Sequence, residues 1–172
     1  LDVENLDLDI VVEKEGINFD NKLSALLDAR LIKHRDFGTA TVIKKDGFKI
    51  DVATWRKEFY PKPAALPIVR PGTIEDDLFR RDFTINAIAC NINSERYGQL
   101  ADLFEGIKDL RQGCIRSLHQ KSFIDDPTRI MRAVRFEQRF GFVIESRTLH
   151  FIKQAKKLNM LEKVGKHRIR DE

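Results

Sequence analysis

Residues 6–12, Leu-Asp-Leu-Asp-Ile-Val-Val, decide how the chain is read. The run alternates at its start and is β-branched at its end, which predicts a strand. Side chains two apart on a strand point to one face, so Asp7 and Asp9 stand side by side. Neighbouring carboxylates repel unless a cation offsets them. Mg2+ does this, preferring carboxylate oxygens at about 2.0–2.1 Å. The alternative is an exposed strand face with two solvated aspartates.

A third carboxylate, Asp51, lies in residues 48–54, Phe-Lys-Ile-Asp-Val-Ala-Thr. Lys45-Asp46-Gly47 supplies turn chemistry between this run and the strand-like residues 39–43, predicting an antiparallel hairpin. If the strand with Asp51 neighbours residues 6–12, three carboxylates share one sheet face. That is a two-metal phosphoryl-transfer arrangement, with ions about 3.5–4 Å apart. Otherwise Asp51 is an edge-strand charge that discourages aggregation.

Working outward, residues 18–29 place Phe19, Leu23, Leu26 and Leu27 on one helical face, and residues 31–34 are strand-like. Residues 60–73 hold four of the five prolines and predict a long loop. Residues 74–91 predict a helix with Phe83, Ala87 and Ile88 in the core. Asp125-Asp126-Pro127 predicts a helix start, and Gly141 its end after Phe140. Another helix is expected over 146–158. The expected fold class is α+β: a mixed or antiparallel sheet over about 1–112, then an all-helical part over 113–172.

Charge thickens toward the C-terminus. The net charge of +4 permits a polyanionic partner, and residues 128–139 alone carry four arginines. Residues 166–170, Lys-His-Arg-Ile-Arg, add three more basic side chains. Cys90 and Cys114 are too far apart for a close-spaced zinc motif, and no disulfide framework is expected. With no apolar run near the roughly 18 residues of a membrane span and no signal-peptide pattern at the start, a reducing cytoplasm is expected.

Two further groups bear chemistry. Arg80-Arg81-Asp82, followed by Asn86, suits a triphosphate and a ribose: the guanidinium fork donates to phosphate, while Asp and Asn bond hydroxyls. It also reads as a surface salt-bridge group. Asp126, Arg129, Arg132 and Arg135 recur every three residues on one helix. Asp126 and Arg129, one turn apart, pair an acceptor with a donor and could be held by each other, as reading a nucleobase edge requires. The alternative is a solvated basic face.

In this order the motifs resemble the class II tRNA nucleotidyltransferase and bacterial poly(A) polymerase family, within the polymerase β-like nucleotidyltransferase superfamily. The resemblance covers nearly the whole chain. LDLDIVVE (6–13) looks like the metal-carboxylate motif, and FGTATV (37–42) with KIDVAT (49–54) like the sheet carrying the third carboxylate. RRDFTINAIA (80–89) is the most specific match. DLFEGIKDL (102–110) looks like a head-to-neck connector, FIDDPTRIMRAVRFEQRFGF (123–142) like the motif whose side chains replace a template, and GKHRIRDE (165–172) like the start of the last neck motif.

The resemblance implies roles residue by residue. Asp7 and Asp9 bind Mg2+, and Asp51 supports the metal or activates the hydroxyl. Arg81 contacts the nucleotide, with Asp82 and Asn86 near the ribose. Asp126 and Arg129 read the incoming base, while Arg132 and Arg135 contact its phosphates or the RNA end. WRKEFYPKPAALP (55–67) looks like the family's flexible loop, with Arg56 and Glu58 as its Arg and Glu. Members that add only two cytidines lack this loop, so an enzyme able to add A is implied. The wording of the motifs looks nearest to long A-adding enzymes with extra regulatory domains. Two departures mark the chain as an expected fragment. The Gly-Gly segment that precedes the carboxylates in the family is absent before Leu1, and the last motif stops at Glu172. Trp55 stands where a small residue is common.

The expected activity is template-independent addition of A, or of CCA, to the 3′ end of tRNA from ATP and CTP. The expected organisation is a nucleotidyltransferase head over 1–112 and a nucleotide-selecting helical neck over 113–172. The competing readings are a poly(A) polymerase of the same family, a non-catalytic RNA-binding fragment, and a nucleotidyltransferase acting on protein or a small molecule. The last gives no reason for the Asp126/Arg129 helix.

Overall fold

A computed structural model describes residues 7–13, 16–34 and 38–170. The chain forms two compact units, one of Leu1–Lys57 with Val69–Asp76 and the other of Glu58–Ile68 with Asp77–Glu172.

The first unit is built on four strands and one helix: β1 (Asp7–Val12), α1 (Gly16–Leu26), β2 (Arg30–His34), β3 (Thr39–Ile43) and β4 (Lys49–Thr54). The sheet order is β1-β4-β3-β2. β1 runs parallel to β4 and the other pairs are antiparallel, so the sheet is mixed, as expected. Strand alternation separates its two faces. Val42, Ile50 and Val52 form one buried face, packed by Ile10, Phe19, Leu23, Leu27 and Leu31. Leu26, expected on the packing face of the helix, is 81% exposed. Positions 19, 23 and 27 keep the i,i+4 row, and Leu26 falls off its edge at the last turn.

The predicted hairpin turn is present. Gly47 takes a φ of 87° and donates to the Lys44 carbonyl at 3.0 Å, and Lys44 N–H bonds the Phe48 carbonyl at 2.9 Å. The carboxylate of Asp46 accepts from Phe48 N–H at 3.0 Å, closing the turn locally.

Residues 60–73 are not one long loop. β5 (Arg56–Phe59) pairs with β6 (Ile68–Pro71) in a two-stranded ribbon, and Pro61, Pro63 and Pro67 lie in the connection, where no ladder donor is needed. A Cβ at Gly72 would fall 2.8 Å from the backbone of Arg56 and Lys57, so this approach admits only glycine.

The helix expected over 74–91 is only α2 (Ile74–Phe79). Phe83 adopts an extended backbone, and a single 3-10 turn follows at Thr84–Asn86. The tertiary environment overrides propensity here: Phe83 bridges to Ser117, and Thr84 N–H bonds the Arg116 carbonyl at 2.9 Å. β7 (Ala89–Cys90) and β8 (Leu100–Ala101) then make a short hairpin. α3 (Gly106–Arg111) starts on the Asp102 carboxylate, which accepts from the N–H of Gly106 at 2.6 Å and of Ile107 at 3.0 Å.

The remainder comprises β9 (Cys114–Ile115), α4 (Ser122–Asp125), α5 (Arg129–Phe140), β10 (Val143–Ile144), α6 (Ser146–Lys157) and α7 (Lys166–Arg170). It is mostly helical but not wholly so, because β9 and β10 pair in parallel. Phe83, Ile115, Phe123, Ile130, Ala133, Ala155, Met160 and Val164 form its core. Asp125 ends α4, and Asp126 and Pro127 open the turn into α5 as predicted. Asp126 is extended, as a residue before proline prefers; its Oδ1 accepts from Thr128 N–H at 3.2 Å and its carbonyl from Arg129 N–H at 3.2 Å. Gly141 ends α5 in the left-handed conformation, φ 67°, as predicted. Among the described residues no helix is long and apolar enough to cross a membrane.

Candidate active site

The face of the first sheet opposite its core carries the acidic row. The register places Asp9 directly beside Asp51 on neighbouring parallel strands, with Asp7 two residues back on the same face. All three are exposed. The neighbourhood of strands that the sequence left conditional is therefore real. Asp51 is also the cross-strand partner of Thr41, whose Oγ1 donates to its Oδ1 at 2.6 Å. Among the described residues no three carboxylate, imidazole or thiol groups form a preassembled metal cage. The donor chemistry nevertheless fits Mg2+, which takes one or two carboxylates and keeps several waters.

The second unit holds a dense polar cluster around the Arg-Arg-Asp segment. Asp77, fully buried, pairs with Arg80 at 2.9 Å and Arg81 at 3.4 Å. Arg80 also reaches Glu58 at 3.2 Å, and Glu58 accepts from the Tyr60 hydroxyl at 3.0 Å. Burial raises the Tyr60 phenol, and the neighbouring Glu58 and Asp126 charges add to this against the opposing effect of Arg129. Arg81 further donates to the Asn86 carbonyl at 3.2 Å. Asp82, 8% exposed, accepts from Phe83 N–H at 2.8 Å, Asn86 Nδ2 at 2.9 Å and Arg132 Nε at 2.7 Å. The triplet is thus a buried network rather than a surface salt-bridge group.

The pairing suggested for Asp126 and Arg129 is replaced by other partners. Arg129 is 5% exposed and donates to Ser122 Oγ at 2.7 Å and to the Arg80 carbonyl at 2.6 Å. Asp126 Oδ1 accepts from Thr128 Oγ1 at 2.8 Å and from Arg168 at 3.0 Å. The backbone does link them, Arg129 N–H bonding the Asp126 carbonyl at 3.2 Å, but Asp126 is extended ahead of α5 and Arg129 begins the helix, and their side chains take different partners. Arg132 and Arg135 lie against the Phe136 ring at 5.5 and 6.0 Å, and Arg135 is exposed. Arg56 and Glu58 sit on β5, not in a loop. Sequence reasoning missed Thr41, Asp77 and Arg168. Asp77 is one of three consecutive acidic residues and Arg168 one of three basic residues in 166–170, so neither stands out within its run, and Thr41 reads only as a strand former.

Residues 1–116 match the Poly A polymerase head domain family. An A-adding tRNA nucleotidyltransferase of Geobacter sulfurreducens is 45% identical over 172 residues, covering 100% of this chain and 20% of that protein. A solved apo CCA-adding enzyme matches with a TM-score of 0.91 at 47% identity, over 98% of this chain and 40% of its own. The Thermotoga maritima CCA-adding enzyme, solved with tRNA, matches with a TM-score of 0.85 at 44% identity, over 98% of this chain and 38% of its own. The chain belongs to the Poly A polymerase head domain family. It spans between a fifth and two fifths of the length of these relatives.

Proposed function

We propose that the chain is the nucleotide-transfer core of a template-independent enzyme that adds A, or CCA, to the 3′ end of tRNA. In this reaction the 3′-hydroxyl of the RNA bonds to the α-phosphorus of ATP or CTP, and the bond to pyrophosphate breaks. The observation that carries the reading is the in-register Asp9–Asp51 pair with Asp7 on the same open face. The relatives' activities and the tRNA bound to one of them support it.

Asp7 and Asp9 would hold Mg2+, with Asp51 supporting it. The bound ion supplies charge neutralisation for the triphosphate and a more acidic attacking hydroxyl. Asp51 would orient that hydroxyl and take up its proton. Arg81, with Arg132 and Arg135, would meet phosphate or the RNA end. Asp82 and Asn86, already bonded to each other, would meet the ribose. Asp126 and Arg129 would select the base, and their fixed partners support that role because a base-reading edge must not adapt to each nucleotide. On this reading residues 1–112 form the head and 113–172 a helical neck, in a cytoplasmic protein that meets tRNA. The ribbon carrying Arg56 and Glu58 would serve A addition.

Incorporation by the full-length protein into tRNA transcripts ending in CC or lacking CCA, with Mg2+ and ATP, CTP or both, tests the reading. A single A on the CC-ending transcript means A addition, and CCA on the bare transcript means complete CCA addition. Long A tracts would move the assignment to poly(A) synthesis, the activity in the family's own description. No incorporation under any condition would overturn the catalytic reading in favour of an RNA-binding one.

A further inference from the structure

The acidic row has a support that no motif announces. Thr41 on β3 is the cross-strand partner of Asp51 on β4, and its Oγ1 donates to Asp51 Oδ1 at 2.6 Å. A hydroxyl has one proton to give. With that proton committed to Asp51, the ring nitrogen Nε2 of His34, 3.4 Å from the same oxygen, must be the donor in its contact. His34, Thr41 and Asp51 come from β2, β3 and β4 in turn. Thr41 and Asp51 are paired in register, and His34, paired with Thr39, reaches Thr41 diagonally, so the sheet assembles a one-way chain of donors ending on the carboxylate.

The geometry points to Thr41 as a positioning residue for Asp51, with His34 behind it. This rests on reading Asp7, Asp9 and Asp51 as metal-holding carboxylates. Asp51 stands beside Asp9 in register, and like charges this close push each other's carboxylates away. A short bond from hydroxyl to carboxylate is the charge-assisted kind, stronger than a neutral one. It holds one oxygen of a planar group from the β3 side and leaves the other for the β1 side, where Asp9 lies. The carboxylate is thereby oriented before a cation arrives, as outer partners orient metal-ligating groups. Strand propensity alone does not require the hydroxyl, since valine fits a strand as well as threonine.

The test uses the full-length protein and three variants, Thr41→Val, Thr41→Ser and Asp51→Asn. Melting temperature is measured for each. Mn2+ binding is followed by the loss of the free-ion electron paramagnetic resonance signal, and nucleotide incorporation is titrated with Mg2+. Thr41→Val should fold normally, bind Mn2+ roughly tenfold more weakly and need a correspondingly higher Mg2+ concentration for half-maximal incorporation. Thr41→Ser, which keeps the hydroxyl, should recover most of both. Thr41→Val with Mn2+ affinity and Mg2+ midpoint like wild type, while Asp51→Asn is impaired, overturns the positioning role alone. Wild type that binds no Mn2+, or Asp51→Asn that behaves as wild type, overturns the carboxylate reading beneath it.

Discussion

Arg132 and Asp82, 50 positions apart in sequence, are joined by a 2.7 Å bond from Nε to Oδ2. The arginine expected to face phosphate is therefore first a partner of the aspartate expected to face ribose. Asp82 is nearly buried and its other oxygen already takes Phe83 N–H and Asn86. Removing the carboxylate takes an acceptor from Phe83 N–H, Asn86 Nδ2 and Arg132 Nε at once. Asp82→Ala should cost about 2–3 kcal/mol in urea unfolding. A double-mutant cycle with Arg132→Ala should return a coupling of about 1–2 kcal/mol. Additive single effects would mean that the bond contributes nothing of its own.

Arg168 supports Asp126 in a similar way, donating to its Oδ1 at 3.0 Å and to the Ala64 carbonyl at 3.3 Å. The residue lies on α7, beyond every motif that suggests base reading. Its loss should relax the orientation of Asp126 more than it weakens the fold, because the guanidinium is partly exposed. Arg168→Ala should lower the preference for the correct nucleotide roughly tenfold in competition assays, with a stability cost of about 1 kcal/mol. Unchanged discrimination would separate Asp126 from base choice or Arg168 from Asp126.

Much of this was legible in the residues. Alternation in 6–12 and 48–54 placed three aspartates on strands, and the Lys45-Asp46-Gly47 turn and the Gly141 helix end follow from local chemistry. The parallel pairing of β1 with β4 was not legible, because it joins strands separated by a helix and a hairpin and no local signal encodes it. The break after Phe79 was hidden for a related reason. Residues 80–91 have acceptable helix formers, but Asp82, Phe83 and Thr84 find better partners in Arg132, Ser117 and Arg116. The charged helix face of α5 misled by its spacing: Arg129 looks like a surface donor and is buried among Ser122 and the Arg80 carbonyl.

His119 gives the fold a dependence on pH that its neighbours set. Burial first, and then the nearby charges of Arg129 and Lys121, push its imidazole down to about 4 from an ordinary 6.5. In the folded protein the ring stays neutral where the unfolded chain would already take a proton. The unfolded state therefore binds the extra proton between pH 6.5 and about 4. Stability from this group is fully present above 6.5 and is lost as pH falls through that window. Because the ring is only partly enclosed, the slope should stay below about 1.4 kcal/mol per pH unit. His119→Phe removes the titration and keeps an aromatic ring against Phe79, whose centroid lies 5.2 Å away. Urea midpoints of wild type and variant should run parallel above pH 6.5 and diverge below it, with wild type losing more. Parallel curves down to pH 4 would show that the imidazole is protonated as readily in the fold as outside it.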